Sequence, residues 1–322
     1  MKKTELTQKR VIVLAGGWSD EREISMQSGL ACQEALKEAG FETVDLVDVA
    51  GPDFMRSLAD GGYDVAFVAM HGHFGEDGCI QGLLEVLHMP YTFSGVLASA
   101  LSTEKEKAKD VCKAAGVPVP DGVTLPSDAQ VNAVQAQELV ERLGLPLFVK
   151  PAANGSSFGI TRVTHADQIA EAVAKAGSEG DAVLVEECIQ GTEITVPVIG
   201  NEDPQVLPIV EIAFDSDFYD LKVKYEPASL HHVMPARISE RSYKLAEEYA
   251  AKAYKALGCR GASRIDFIVQ EDGTPVMLEN NCIPGMTKSS LLPDSARHAG
   301  IEFSELCTRF VAWALEAAGQ EA

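Results

Sequence analysis

Two apolar strands near the end of the chain carry charge. "SRIDFIV" (263–269) and "VMLENN" (276–281) are separated by "QEDGTP". Alternate residues of a strand share a face. Arg264 and Asp266 therefore point together, and so do Glu279 and Asn281. If the strands pair as a hairpin, Asp266, Glu279 and Asn281 converge with an arginine beside them. Acids in apolar strands need compensation. Magnesium supplies it, because it takes carboxylate or amide oxygens together with substrate phosphates. Arg264 can also bond an oxyanion with both arms of its fork. A buried Arg–Asp pair with no ligand is the plainer alternative.

The chain has 322 residues, enough for two or three domains. With 46% hydrophobic and 23% charged residues, it has a soluble globular composition. A formal net charge of −21 argues against nucleic-acid or anionic-membrane surfaces, which need excess Lys and Arg. It leaves room for a nucleotide pocket with a few local lysines. No apolar run reaches transmembrane length and "MKKTELTQKR" opens no signal peptide, so a cytoplasmic location is expected. Seven scattered cysteines without a CxxC pair predict reduced thiols rather than a disulfide framework or zinc site.

"RVIVLAGG" reads as a buried strand, followed by a helix from about Ile24 to Ala39. A strand from Glu42 to Val49, the strand "YDVAFVAMHG" and a helix from about Cys79 to His88 follow. Alternating strands and helices with short connections predict a parallel sheet covered on both faces. A long helix then runs to Ala115. After it come a helix over about Asp128–Leu143, "LPLFVKP", a Gly/Ser loop "ANGSSFG" and "AVLVEECI", a small α+β unit. From Gly191 onward strands dominate, including "QVLPIVEIAF", interrupted by a helix over about Ser239–Leu257.

Several loops sit where chemistry is expected. "GGWSDEREIS" follows the first strand and opens a helix, at the carboxyl edge where α/β folds bind ligands. Glu21 and Glu23 can receive an ammonium group there, or merely complement the helix dipole. "MHGHFGEDG" puts His71 at the same edge, with His73 and Glu76 as neighbouring candidates. "PLFVKPAANGSSFG" places Lys150 at a strand end before a glycine loop, a point charge for a phosphate under backbone N–H groups. It lacks the GxxxxGK[ST] order of a P-loop. "VLVEECIQGTE" can read a purine edge through its backbone and a ribose through a carboxylate, or be an ordinary strand crossover.

Taken together the motifs resemble the D-alanine–D-alanine ligases of the ATP-grasp superfamily. The resemblance runs in order through "GGWSDEREIS", "HGHFGEDGCIQGLLE", "MPYTFSGVLASALSTEK", "VKPAANGSSFG", "VLVEECIQGTEITV", "FYDLKVKY", "GASRIDFIV" and "LENNCIPGMTKSSLLP". It implies an α/β chain with an ATP-grasp fold and an N-terminal parallel-sheet (preATP-grasp, Rossmann-like) domain. The expected units are residues 1–93, a central ATP-grasp small domain at 94–185 and a catalytic domain at 186–322. ATP and two magnesium ions, or manganese, are the implied cofactors, and a homodimer the implied assembly.

The resemblance also assigns roles. Glu21 would hold the first D-alanine's ammonium and His71 would approach its carboxylate. Lys105 and Lys150 would contact ATP phosphates, with Ser156 and Ser157 in the loop above. Glu186, Glu187, Ile189 and Glu193 would line the adenine and ribose site. Ser156 and Tyr225 would link with Glu21, and Lys224 would reach the γ-phosphate or second-substrate region. Arg264 and the Gly285 N–H would form an oxyanion hole. Asp266, Glu279 and Asn281 would hold the metals, and Ser290 with the Leu291 N–H would take the second carboxylate. Gly285 is expected to end its strand where the backbone approaches the oxyanion. The implied reaction goes through an acyl phosphate, with residues 155–159 and 215–235 as lid segments.

Several positions depart from the family's usual pattern: Trp18, Phe93, Lys222, Cys282 and the pair His231–His232. D-serine or D-lactate as second substrate, another carboxylate–amine ligase and a nucleotide-binding relative without turnover stay open at this level.

Overall fold

The computed structural model describes residues 3–153, 159–214 and 230–320. Helix α1 (Lys3–Leu6) precedes β1 (Arg10–Ala15), α2 (Arg22–Glu38), β2 (Thr43–Asp48), α3 (Phe54–Asp60), β3 (Val65–Val68) and α4 (Cys79–Val86). The strands form a parallel sheet in the order β2-β1-β3. β3 is buried throughout and β1 from Val11 onward, as parallel strands covered on both faces should be. α2 lies so close to β1 that a Cβ on Gly29 would sit 2.6 Å from the Ala15 Cβ.

Helices α5 (Val96–Thr103) and α6 (Lys105–Ala114) follow, with buried Ala98, Ala108 and Cys112 in one core with Ile194, Val196 and Tyr254, and a small unit then holds β4 (Gly122–Pro126), α7 (Ala133–Leu143), β5 (Leu147–Pro151), β6 (Thr161–Val163), α8 (Ile169–Gly177) and β7 (Ala182–Glu187). Its antiparallel sheet runs β4-β7-β5-β6. Val149, Val183 and Val185 on one face join α7 and α8 in a core. Lys150, Leu184 and Glu186 occupy the alternate positions, on the other face.

The third unit holds β8 (Thr192–Gly200), β9 (Gln205–Val206), β10 (Val210–Phe214), β11 (Leu230–Val233), α9 (Glu240–Ala256), β12 (Gly261–Val269) and β13 (Pro275–Asn281). The order is β11-β10-β8-β12-β13, with β9 also on β8, and the neighbours are antiparallel. α10 (Leu291–His298) and α11 (Phe303–Gln320) follow. Residues of both helices, Leu292 and Phe310 among them, share a core with the first sheet.

The hairpin forms in the expected register. Arg264 faces Asn281 and Asp266 faces Glu279, with a bulge between Asp266 and Phe267. Along β12, buried Ile265, Phe267 and Val269 alternate with half-buried Arg264, Asp266 and Ile268.

Several sequence expectations are corrected. The long helix to Ala115 is two, broken at Glu104 (φ −82°, ψ 86°), and the Lys105 N–H bonds the Ala152 carbonyl at 3.1 Å. α7 starts at Ala133 rather than near Asp128, because Asn132 and Gln135 build a capping box there. "QVLPIVEIAF" holds two strands, with Pro208 in the break. β13 ends at Asn281, not at Gly285, where the Asn281 Oδ1 accepts the Ile283 N–H at 3.0 Å.

Phe93 carries a left-handed backbone, φ 69°. Such a conformation is costly for a residue with a Cβ. Its ring is 2% exposed, 5.7 Å from Phe67 and 4.9 Å from Phe310, centroid to centroid. Aromatic burial there offsets the backbone cost. The seven cysteines are free. No helix among the described residues is long and apolar enough to cross a membrane.

Candidate active site

A cleft of about 410 Å³ opens between the loop after β1, the 72–77 loop, the start of α6 and the end of β13. Glu21, Glu76, Lys105, Glu279 and Asn281 line it. Local bonds set the first loop: the Gly16 N–H donates to Ser25 Oγ at 2.8 Å, and Ser19 Oγ donates to the His71 carbonyl at 2.7 Å. Glu21 is the N-cap of α2 by position, without a side-chain capping bond. Its carboxylate thus faces the cleft rather than its own helix. Burial, then the charge of Glu76, raises its pKa above the ordinary value, with His71 and Arg264 opposing. A bound ammonium would offset both causes by favouring the ionised form.

His71 lies behind the cleft wall, 5% exposed. Its Nε2 is 3.1 Å from Ser28 Oγ and its Nδ1 3.5 Å from Glu76 Oε1. Ser28 Oγ accepts the Met286 N–H at 3.3 Å, which leaves its own proton for Nε2. His71 therefore couples the 72–77 loop to α2 and, through Ser28, to the chain after β13. His73 and Phe74 lie at the outer lip, their rings 3.8 Å apart, and exposed Trp18 meets Phe74 edge to face at 5.7 Å. Cys282 is buried with its Sγ 3.8 Å from the Glu76 carbonyl, and burial pushes its thiol pKa well up. It is an inert packing group.

Charge on the large sheet is paired. Arg264 clamps Asp266 with both arms, Nε to Oδ1 at 3.1 Å and Nη2 to Oδ2 at 3.0 Å. Thr195 Oγ1 also donates to Asp266 Oδ1. Burial alone would lower the Arg264 pKa. Asp266, then Glu279 and Glu76, outweigh it, and the guanidinium stays charged. Lys105, at the first turn of α6, sits 3.4 Å from Glu279 Oε2.

These oxygens fit magnesium by chemistry: two carboxylates and an amide on one sheet face, all hard donors. Among the described residues no three His, Cys, Asp or Glu side chains form a self-sufficient metal site. Waters and phosphate oxygens would complete such a shell, which suits an ion that arrives with a nucleotide.

On the small sheet, Lys150 and Lys109 each bond one oxygen of Glu186, Oε1 and Oε2 respectively. Burial opposes the Glu186 charge, but the two lysines hold its pKa below the ordinary value. Burial and then Lys150 push Lys109 down to about 8. Glu187 points to the opposite face, where its Oε1 accepts the Asp121 N–H at 2.9 Å. Only its backbone is then available to a ligand on the Glu186 side. Ile189 is half-buried beyond β7, and Glu193, opposite Ile268 on β8, shares the face of Thr195 and Asp266.

Past β13, a Cβ on Gly285 would meet Ser290 Oγ at 2.8 Å, so glycine is required for Ser290 to sit there. Ser290 Oγ accepts the Thr287 N–H at 3.1 Å and precedes α10, whose first residue is Leu291. N–H groups of a first helical turn lack intrahelical acceptors and suit an anion. His232 reaches toward this helix, its Nδ1 3.8 Å from Asp294 Oδ2.

Ser156, Ser157, Lys222, Lys224 and Tyr225 lie outside the described residues, as do the His231 side chain and most of the expected lid segments. The sequence reading missed Lys109, Ser28 and Thr195. Only Lys109 left a signal: it follows Lys105 by four residues, on the same helix face.

A family model described as D-ala D-ala ligase C-terminus matches residues 111–312, and one described as D-ala D-ala ligase N-terminus matches residues 49–94. The chain is 44% identical over 310 residues to the D-alanine–D-alanine ligase of Desulforamulus reducens, covering 95% of this chain and 99% of the relative. Its fold is similar to the D-alanine–D-alanine ligase from Bacillus anthracis complexed with ATP, with TM-score 0.84, 30% identity and coverage of 98% and 99% of the two chains. It is also similar to the VanG D-Ala:D-Ser ligase from Enterococcus faecalis, with TM-score 0.82, 30% identity and coverage of 95% and 99%.

Proposed function

The chain belongs to the D-alanine–D-alanine ligase family, and on that premise we propose how its residues carry the reaction. It joins two D-alanines to D-alanyl-D-alanine for peptidoglycan synthesis, using ATP. ATP phosphorylates the first carboxylate, the second amine attacks the acyl phosphate, and phosphate leaves.

One observation carries the assignment of groups: Lys105 and Glu279 pair on the cleft wall, and the Arg264–Asp266 pair faces Asn281 and Glu279 across the hairpin. Magnesium, or manganese, held by Asp266, Glu279 and Asn281 would neutralise phosphate charge when bound. Lys105 and Lys150 then exchange their acids for phosphate oxygens. Ser156, Ser157 and Lys224 join them, and Glu187, Ile189 and Glu193 flank Glu186 at the base and ribose. Glu21 holds the first ammonium, with Ser156 and Tyr225 linked to it, and His71 acts near the first carboxylate. Arg264 and the Gly285 N–H meet the developing oxyanion. Ser290 and the Leu291 N–H take the second carboxylate. Dependence on ATP supports a cytoplasmic location for the reaction, and a homodimer is what the family resemblance implies. The D-Ala:D-Ser neighbour keeps D-serine as a second reading for the attacking amine. The more similar D-alanine–D-alanine ligase favours D-alanine.

Glu21→Gln tests the ammonium assignment. The KM for D-alanine should rise roughly tenfold to a hundredfold, the worth of a charged hydrogen bond, while the KM for ATP stays. In the wild type, D-alanine affinity should fall as pH drops through the raised Glu21 pKa, because the protonated acid no longer opposes an ammonium. The Gln variant should lack that acid limb. An unchanged D-alanine KM with a weakened ATP KM would move Glu21 to the nucleotide site.

A further inference from the structure

The Glu186 carboxylate holds two lysines, one on each oxygen. They are not equivalent. The Lys150 side chain is 12% exposed and lies on β5 before the glycine loop, whereas Lys109 is 6% exposed and lies on α6. Two cations on one anion leave the group with one positive charge in excess, so one lysine can leave without stranding a buried carboxylate. The more exposed Lys150 is the one placed to leave. We propose that Lys109 is a positioning residue for the nucleotide. It holds Glu186 Oε2, so that Lys150 can turn to phosphate and the freed Oε1 can accept from the amino group of adenine. The proposal rests on the nucleotide reading given above for Lys150 and Glu186.

The chemistry sets a base preference. An ionised carboxylate only accepts hydrogen bonds. It therefore suits the exocyclic amine of adenine and repels the carbonyl that guanine presents at the same place. Without Lys109, Lys150 becomes the sole counter-ion of Glu186. Either Lys150 stays and is withheld from phosphate, or it leaves and Glu186 takes up a proton. A protonated Glu186 donates as well as accepts and tolerates guanine.

The test compares initial rates with ATP and with GTP, at saturating D-alanine, for wild type, Lys109→Met, Glu186→Gln and the double variant. Lys109→Met should raise the ATP KM roughly tenfold to a hundredfold with a smaller change in kcat, as loss of a charged buried contact implies. It should narrow the ATP-to-GTP ratio of kcat/KM by about tenfold. Added to Glu186→Gln, it should cost little more, since both act through one carboxylate. A Lys109→Met enzyme with wild-type ATP KM and base ratio, beside an impaired Glu186→Gln, overturns the role of Lys109. So do losses that multiply in the double variant. A Glu186→Gln enzyme that behaves as wild type instead removes the base contact itself, and the proposal with it. If Lys109→Met does not fold, Lys109→Arg decides: it keeps the charge and should keep the ATP-to-GTP ratio, and a ratio narrowed as in Glu186→Gln contradicts the proposal.

Discussion

Glu279→Gln is expected to abolish turnover while the protein stays folded. Glu279 faces Asp266 across the hairpin, two residues from Asn281, and its partner is the buried Lys105. A glutamine keeps the shape, and its carbonyl can still accept from Lys105, so melting should shift little. What disappears is a negative charge at the position proposed for a divalent cation. Magnesium and phosphate neutralisation weaken together, and kcat should fall by about a thousandfold or more. Raising magnesium should recover part of the ATP affinity. ADP release at the wild-type rate from a folded variant would sink the metal assignment.

Arg264→Met should be nearly as damaging, for a different reason. The guanidinium is clamped to Asp266 and faces Asn281 across the strands, beside the proposed path of the oxyanion. Loss of one such donor costs on the order of a hundredfold to a thousandfold in kcat. Asp266 would be left with Thr195, a neutral donor, in a half-buried place. A stability loss is therefore expected as well, below the roughly 3–5 kcal/mol of a fully buried broken pair because water reaches this face. The two effects separate. Arg264→Lys, which keeps a cation beside Asp266 but loses the two-armed fork, should regain thermal stability and little activity. Recovery of activity with stability would make Arg264 a structural group only.

The hairpin was readable because strands repeat every two residues. Four polar side chains at alternate positions of two apolar strands can only share a face, and the register pairs them as expected. The helix after Phe93 was less readable. Val96–Thr103 and Lys105–Ala114 carry one continuous helical pattern, and the break at Glu104 answers to Ala152, distant in sequence. Lys109 sits in "KEKAKD", which looks like a solvated charged face. Only packing against β7 shows it to be a buried counter-ion. His71 illustrates the same limit. A strand-end histidine beside glycines announces the sheet edge, but Ser28, on α2, and Glu76 determine which way the ring turns. Gly285 has its role through Ser290, five residues further along the chain, and not as the end of the strand.

The most direct measurement is ADP release and product analysis with ATP, magnesium and D-alanine as the only amino acid, repeated with D-serine or D-lactate in competition. ADP and D-alanyl-D-alanine should form in equal amounts, and the dipeptide should remain the main product at neutral pH with either competitor present. No ADP release with D-alanine alone, or a mixed product in preference to D-alanyl-D-alanine, would contradict the account.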